Sequence, residues 1–254
     1  MKALITGASS GIGYSMAKYL GSLGYDLILV ARDKEKLQNI QKEIKTDVKI
    51  IVADVSQESK LKELYVLCKN DNIDILINNA GFGLFGEFDS TDLSTELSMI
   101  DVNLRAVHVL TKLFLKDMVK RDSGYILNVS SSASFQAGPL MSTYYASKAY
   151  VTRLTVAIYE ELRRKKSNVH ISCLCPGPVK TNFNNVADVQ FSMKGMDPDY
   201  VAKYAIDKML KKKKLLIVPG FKIKSLIFFN RFISTKRAAK IVYKFQKRKK
   251  KNKK

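Results

Sequence analysis

Seven short apolar runs alternate with longer stretches of helical periodicity over residues 1–218, and this alternation restricts the chain to a parallel sheet linked by crossover helices. The strand candidates are 2–6, 26–31, 48–53, 73–78, 124–130, 169–174 and 215–218. Helix candidates lie between them at 11–23, 33–45, 56–70, 93–121, 143–166 and 198–211. The strand runs show no regular polar alternation, so both faces of the sheet must be covered by helices. A doubly wound α/β sheet of about seven strands follows, with its ligand site at the strand carboxyl ends. At 254 residues, with no internal repeat and no dividing linker, the body suits one domain over 1–220.

The strand ends carry the informative residues. The first strand runs into Thr6-Gly7-Ala8-Ser9-Ser10-Gly11-Ile12-Gly13. Glycines there allow a tight turn and close backbone approach, while the start of the next helix offers free N–H groups to a pyrophosphate. Placed directly after the first strand of a βαβ unit, this turn reads as the dinucleotide cradle of a Rossmann-type sheet. The second strand ends Ala31-Arg32-Asp33. An acid at that tip would suit the ribose of NAD, whereas Arg32 suits the extra phosphate of NADP, so NADP(H) is favoured over NAD(H). Asp33 is expected to cap the following helix. The third strand ends Ala53-Asp54-Val55, placing a carboxylate where it can accept from an adenine amino group or else cap the next helix. The fourth ends Asn78-Asn79-Ala80-Gly81, where small residues admit a cofactor and the amides can tie neighbouring strands together.

Farther along stand Ser130-Ser131-Ser132 and Tyr144-Tyr145-Ala146-Ser147-Lys148. On one helix the i,i+4 spacing puts Tyr144 and Lys148 on the same face. A phenol with a reference pKa of about 10 is a poor base at neutral pH, and a nearby ammonium lowers that value. Tyr144 can then exchange a proton with a substrate oxygen that a serine hydroxyl holds.

As a set, Thr6-Gly-x-x-x-Gly-x-Gly13, Asp54, Asn78-Asn-Ala-Gly81, Asn103, Ser131, Tyr144-x-x-x-Lys148 and Pro176-Gly-x-x-x-Thr181 resemble, in order and spacing, the short-chain dehydrogenase/reductase family. The resemblance covers about residues 1–218. It implies that Tyr144 is the catalytic acid/base, that Ser131 polarises a substrate carbonyl, and that Lys148 lowers the tyrosine pKa and holds the nicotinamide ribose. The spacing to Tyr144 selects Ser131 over Ser130 and Ser132, and Tyr145 and Ser147 are expected to be packing residues. By the same resemblance Asn103 supports a water-mediated proton relay to Lys148. The loop Cys175-Pro176-Gly177-Pro178-Val179-Lys180-Thr181 then lies along the nicotinamide, with Thr181 facing its carboxamide and the Val179 backbone nearby. The cofactor set is therefore Gly7, Ser9, Ser10, Gly11, Ile12, Gly13, Arg32, Asp54, Val55, Asn79, Ala80, Gly81, Tyr144, Lys148, Pro176, Gly177, Val179 and Thr181. A dimer or tetramer is implied as well.

Segment 182–197 carries Phe183, Val186, Val189, Phe191, Met193 and Met196 among polar residues, and is expected to form an apolar substrate lid or a covering helix. Phe82, Leu84 and Phe85 are candidates for the substrate wall. Cys173 and Cys175 lack the partners of a metal site and read as buried thiols, and His108 and His170 as structural or surface residues. No metal is expected. Three cysteines make no disulfide framework, so a reducing, cytoplasmic setting is expected. Met1-Lys2 runs straight into the first strand, which suggests no signal peptide.

The net charge of +21 is unevenly placed. Residues 211–254 hold 18 Lys/Arg and no Asp/Glu, against 26 basic and 23 acidic residues before them. From 221 to 254 apolar stretches interleave with lysine and arginine, as in one or two basic amphipathic helices. Peripheral docking on an anionic membrane is the first reading; packing on the body or on a second subunit is the second. Nucleic-acid binding ranks last. The leading expectation for the whole is an NADP(H)-dependent enzyme interconverting a ketone or aldehyde and an alcohol, on an apolar small molecule. Its alternative is a redox-silent nucleotide-binding module docked through its tail.

Overall fold

The computed structural model describes residues 1–183, 187, 195–212 and 214–247. All seven strands form: β1 (Lys2–Thr6), β2 (Asp26–Ala31), β3 (Val48–Val52), β4 (Ile75–Asn78), β5 (Tyr125–Val129), β6 (His170–Leu174) and β7 (Leu216–Ile217). Every pairing is parallel, in the order β3-β2-β1-β4-β5-β6-β7. The chain winds outward from β1 to β3, then crosses back to β4 on the other side of β1. A crevice opens at such a switch, between the carboxyl ends of β1 and β4.

Strand side chains divide between the two faces with the period of 2 that extended chain imposes. Ala3, Ile5, Leu27 and Leu29 pack on one face against Met16 and Leu20 of α1 (Gly11–Ser22), Leu37 of α2 (Lys34–Glu43) and Val201 and Ala205 of α7 (Pro198–Leu210). Leu4, Ile28, Leu76 and Ile126 pack on the other, against Leu61 of α3 (Glu58–Cys68), Leu110 and Phe114 of α5 (Ala106–Lys120) and Leu162 of α6 (Ser142–Arg164). Amides stitch the centre of the sheet: Asn78 Nδ2 donates to Asn128 Oδ1 (2.8 Å) and to Thr111 Oγ1 (3.0 Å).

The single helix expected over 93–121 is interrupted. It begins as α4 (Leu93–Ile100), widens to a π-helical turn at Asp101–Arg105 and resumes as α5. The widened turn turns the Asn103 side chain inward, where its Oδ1 accepts from Phe82 N–H (3.0 Å) and its Nδ2 donates to Phe82 O (2.8 Å). Hydrophobic periodicity carries no signal for such an insertion, which depends on a tertiary partner.

The tail forms two helices, α8 (Phe221–Asn230) and α9 (Thr235–Lys247). Their buried residues, Ile223, Ala238, Val242 and Gln246, face the body. Asn230 Nδ2 donates to Phe135 O (2.9 Å) and Gln246 Nε2 to Tyr145 Oη (2.8 Å). For these faces, packing on the body is what the structure shows. Among the described residues no helix is long and apolar enough to cross a membrane. The basic end at 248–254, and Val186, Val189, Phe191 and Met193 of the expected lid, lie outside the described residues.

Leu76 sits in the central strand β4 with no exposed surface. Leu76→Ala is expected to cost about 3 kcal/mol of unfolding free energy in urea titration. The half-exposed Leu67 should lose well under about 1 kcal/mol on the same change.

Candidate active site

The site starts where β1 passes into α1. Gly7 and Gly11 adopt φ of +65° and +56°, a region open to glycine. A Cβ on Gly7 would lie 2.8 Å from Ala80 Cα, and one on Gly13 would lie 2.3 Å from Gly7 O, so both positions exclude any side chain. Asn79 Nδ2 locks this approach by donating to Thr6 O (3.0 Å) and Gly7 O (3.1 Å). The start of α1 is bare: the Ser10 side chain makes no capping bond, and the first turn holds no acid. Its amide groups and positive dipole end are left for an anion. By contrast α2 caps itself, with the Asp33 carboxylate accepting from Lys36 N–H (3.0 Å), as expected from sequence.

Arg32 is exposed at the tip of β2 and borders the same cavity. Asp54 does not cap α3, whose cap position is Gln57; it accepts from Ser56 N–H (3.0 Å) and Ser56 Oγ (2.8 Å). Burial opposes its ionisation, but the Ser56 bonds and the Arg32 charge outweigh it and hold the carboxyl below its usual range.

At the far side of the crevice α6 supplies Tyr144 and, one turn later, Lys148, both nearly buried. The ammonium lies 5.9 Å from the centroid of the phenol ring and donates to Val129 O (3.0 Å). Burial pushes the Tyr144 phenol up to about 12, against the pull of its hydrogen bond with Ser131. Burial likewise brings the Lys148 ammonium down to about 8, opposed by the Cys173 and Cys175 thiols. The tyrosine pKa thus stands above its usual value and not below it, because the loss of water dominates, and the phenol keeps its proton at neutral pH.

The three serines have separate jobs. Ser130 Oγ donates to Lys148 O (2.8 Å) and accepts from Thr152 Oγ1 (2.8 Å), bracing α6 against β5. Ser131 Oγ accepts from Ala133 N–H (3.1 Å) and reaches Tyr144. Ser132 N–H donates to Pro176 O (2.8 Å), joining the two loops over the sheet.

A cavity of about 840 Å³ joins these parts. Gly7, Ser9, Ser10, Gly11, Ile12, Arg32, Asp54, Val55, Asn79, Ala80 and Gly81 border one end, Ser131, Tyr144 and Lys148 the middle, and Pro176, Gly177, Val179 and Thr181 the adjoining wall. Of the catalytic and cofactor residues expected from the sequence, only Gly13 and Asn103 do not border the cavity. Gly13 is there for close packing. Asn103 is fully buried, its amide bonded to Phe82 and Ser147.

Beyond Tyr144 the cavity becomes apolar. Phe82, Met141 and Phe183 border it, with the Phe183 ring 5.3 Å from that of Tyr144. Leu84 and Phe85 pack in a cluster with Met99 and Met141 and do not border it. Met196, expected in the lid, instead pairs by backbone with Val179. Tyr145, expected only to pack, lines the cavity, as do residues of α8 and α9. The apolar face of Ala238, Ile241, Val242 and Phe245 was visible as an i, i+3, i+4, i+7 pattern, but periodicity does not say what such a face covers. Ser130→Ala is expected to cost about 1–3 kcal/mol of stability in urea titration, because Thr152 loses a buried partner. Ser131→Ala should cost no more than about 1 kcal/mol, because its bonds face the cavity.

Residues 1–190 match the family of short chain dehydrogenases. An uncharacterised oxidoreductase of Staphylococcus saprophyticus is 33% identical over 210 residues, covering 80% of this chain and 88% of its own. Among solved structures, a short-chain dehydrogenase from Sphingobium yanoikuyae in complex with NADPH superposes with a TM-score of 0.81 at 27% identity, covering 91% of this chain and 94% of that one. The bulky-bulky ketone specific alcohol dehydrogenase from Comamonas testosteroni does so with a TM-score of 0.77 at 28% identity, covering 91% and 92%. With its parallel sheet, glycine cradle and Ser131, Tyr144 and Lys148 in one cavity, this chain belongs to the short-chain dehydrogenase/reductase family, enzymes that act on CH–OH donors with a nicotinamide cofactor.

Proposed function

We propose that this protein is an NADP(H)-dependent oxidoreductase interconverting an apolar ketone or aldehyde and its alcohol, with Tyr144 as acid/base. The observation that carries this reading is the convergence of Ser131, Tyr144 and Lys148 midway along one cavity, with an uncapped helix start at one end and an apolar wall at the other. The residues present fit a dinucleotide. The amides at the start of α1 would take its pyrophosphate, Asp54 its adenine amino group, Arg32 a ribose phosphate, and Lys148 the nicotinamide ribose. Arg32 favours NADP(H) because β2 ends without an acid. When bound, the nicotinamide supplies the hydride that the protein itself cannot.

The chain's own groups handle orientation and the proton. A carbonyl oxygen held between the Ser131 and Tyr144 hydroxyls is polarised by both. As the carbonyl carbon is reduced, the phenol delivers its proton to that oxygen, and at neutral pH it is fully protonated for the task. In the reverse direction the phenolate must form first, and the Lys148 charge beneath the ring stabilises it. Asn103 would support a water-mediated proton relay to Lys148. Residues 1–220 form the catalytic body. The tail, 221–254, is proposed to hold that body at an anionic lipid surface on the strength of its charge.

A redox-silent nucleotide-binding module fits less well. Burying an ammonium that has no carboxylate partner among the described residues costs stability, and a scaffold has no use for that cost. Tyr144→Phe is expected to cut NADPH-dependent ketone reduction by at least a thousandfold, on the order of the loss seen when a positioned acid is removed, with NADPH affinity nearly unchanged. Retention of most activity would overturn the assignment. The kcat/KM for NADPH, which reports groups of the free enzyme, should be level below about pH 8 and fall above it as Lys148 loses its proton. In Lys148→Met that inflection should vanish.

A further inference from the structure

The cavity does not end over the catalytic tyrosine but continues out beneath α8 and α9. Leu226, Phe229, Ile233, Ile241 and Phe245 all border it there, yet each is 37–63% exposed. A side chain that both borders a cavity and meets solvent stands at its opening, so the opening has an apolar rim. Just outside, the Phe228 ring packs edge-on against Phe229 (5.6 Å between centroids) and Phe232 (5.5 Å). Phe228, Phe232 and the nearby Phe221 are 53–83% exposed and do not border the cavity. An exposed apolar patch marks a contact surface, and here it lies beside cavity-lining residues that themselves reach solvent.

Charge decides what the patch contacts. The segment from 211 to 254 holds 18 basic residues and no acidic one. On α9, Lys236, Arg237, Lys240 and Lys244 are exposed beside the apolar face of Ala238, Ile241, Val242 and Phe245. A second copy of this chain would bring an equal excess of positive charge against the first, and like charges oppose that contact. A nucleic acid would satisfy the lysines but leave the phenylalanines in water. An anionic bilayer accepts both, cations at the phosphates and aromatic rings at the acyl boundary.

We propose that α8 and α9 dock on an anionic lipid bilayer with the cavity mouth against the acyl region, so that the substrate is an apolar carbonyl or alcohol drawn directly from the membrane. The substrate class rests on the reductase reading; the docking surface rests on the tail alone. Lateral entry spares the substrate a passage through water, and the apolar rim gives it a continuous path from lipid to Tyr144.

The test uses full-length protein sedimented with phosphatidylcholine vesicles, plain or doped with phosphatidylglycerol. Binding to the doped vesicles that weakens with salt, and that drops on the order of tenfold in the double variant Phe228→Ser/Phe232→Ser, is the expected result. That variant should reduce a short water-soluble ketone at the parent rate, while its reduction of a long-chain ketone carried in doped vesicles falls in step with binding. Equal binding to both vesicle types, or binding untouched by the double substitution, would overturn the proposal. So would a dimer that the substitution dissolves in a protein that sediments with neither vesicle. Binding as expected with no ketone reduced, in water or in lipid, would contradict the reductase reading and leave the docking surface supported.

Discussion

The contact on which the rest of the molecule depends is the backbone approach of Gly7 to Ala80, at the point where the sheet changes its direction of winding. Parallel strands need long crossovers, and a doubly wound order must split somewhere. Here it splits between β1 and β4, and the two loops leaving those strands sit side by side because Gly7 brings no side chain into the gap. Asn79 fixes the separation through two backbone carbonyls. With that junction set, the bare start of α1 faces along the crevice and α6 faces it from the β5 side.

The chemistry of the crevice follows from removing water. Desolvation raises the Tyr144 phenol and lowers the Lys148 ammonium, in each case against the charged form. Tyr144 thereby keeps its proton at neutral pH. Bonds from the strand side brace α6 at this point: Ser130 and Val129 hold Lys148 at its two ends, and Ser131 meets the phenol. The placement of Tyr144 and Lys148 is thus a property of β5 and its loop as much as of the helix that carries them.

Most of the sheet and the cofactor end were legible in the sequence because they obey local rules. Buried strands read as unbroken apolar runs, and a glycine-rich turn after the first strand has few other uses. Arg32, Asp33 and the Tyr144–Lys148 spacing needed no tertiary information to be placed. What stayed hidden depends on contacts far apart in sequence. The π-turn at Asp101–Arg105 exists because Asn103 bonds Phe82, 21 positions away. Tyr145 joins the cavity wall because Gln246, 101 positions on, holds its hydroxyl. The tail announced its amphipathic character but not the surface its apolar face would cover, and residues of that face line the cavity.

The account stands or falls on the crevice at the β1–β4 switch being a site for a nicotinamide dinucleotide with a second phosphate. Titrating the purified protein with NADPH and with NADH, followed by nicotinamide fluorescence, tests this most directly. The account predicts tighter binding of NADPH, with a preference that disappears in Arg32→Ala while NADH binding is unchanged. Binding of neither nucleotide, or a preference for NADPH that survives the loss of Arg32, would contradict it.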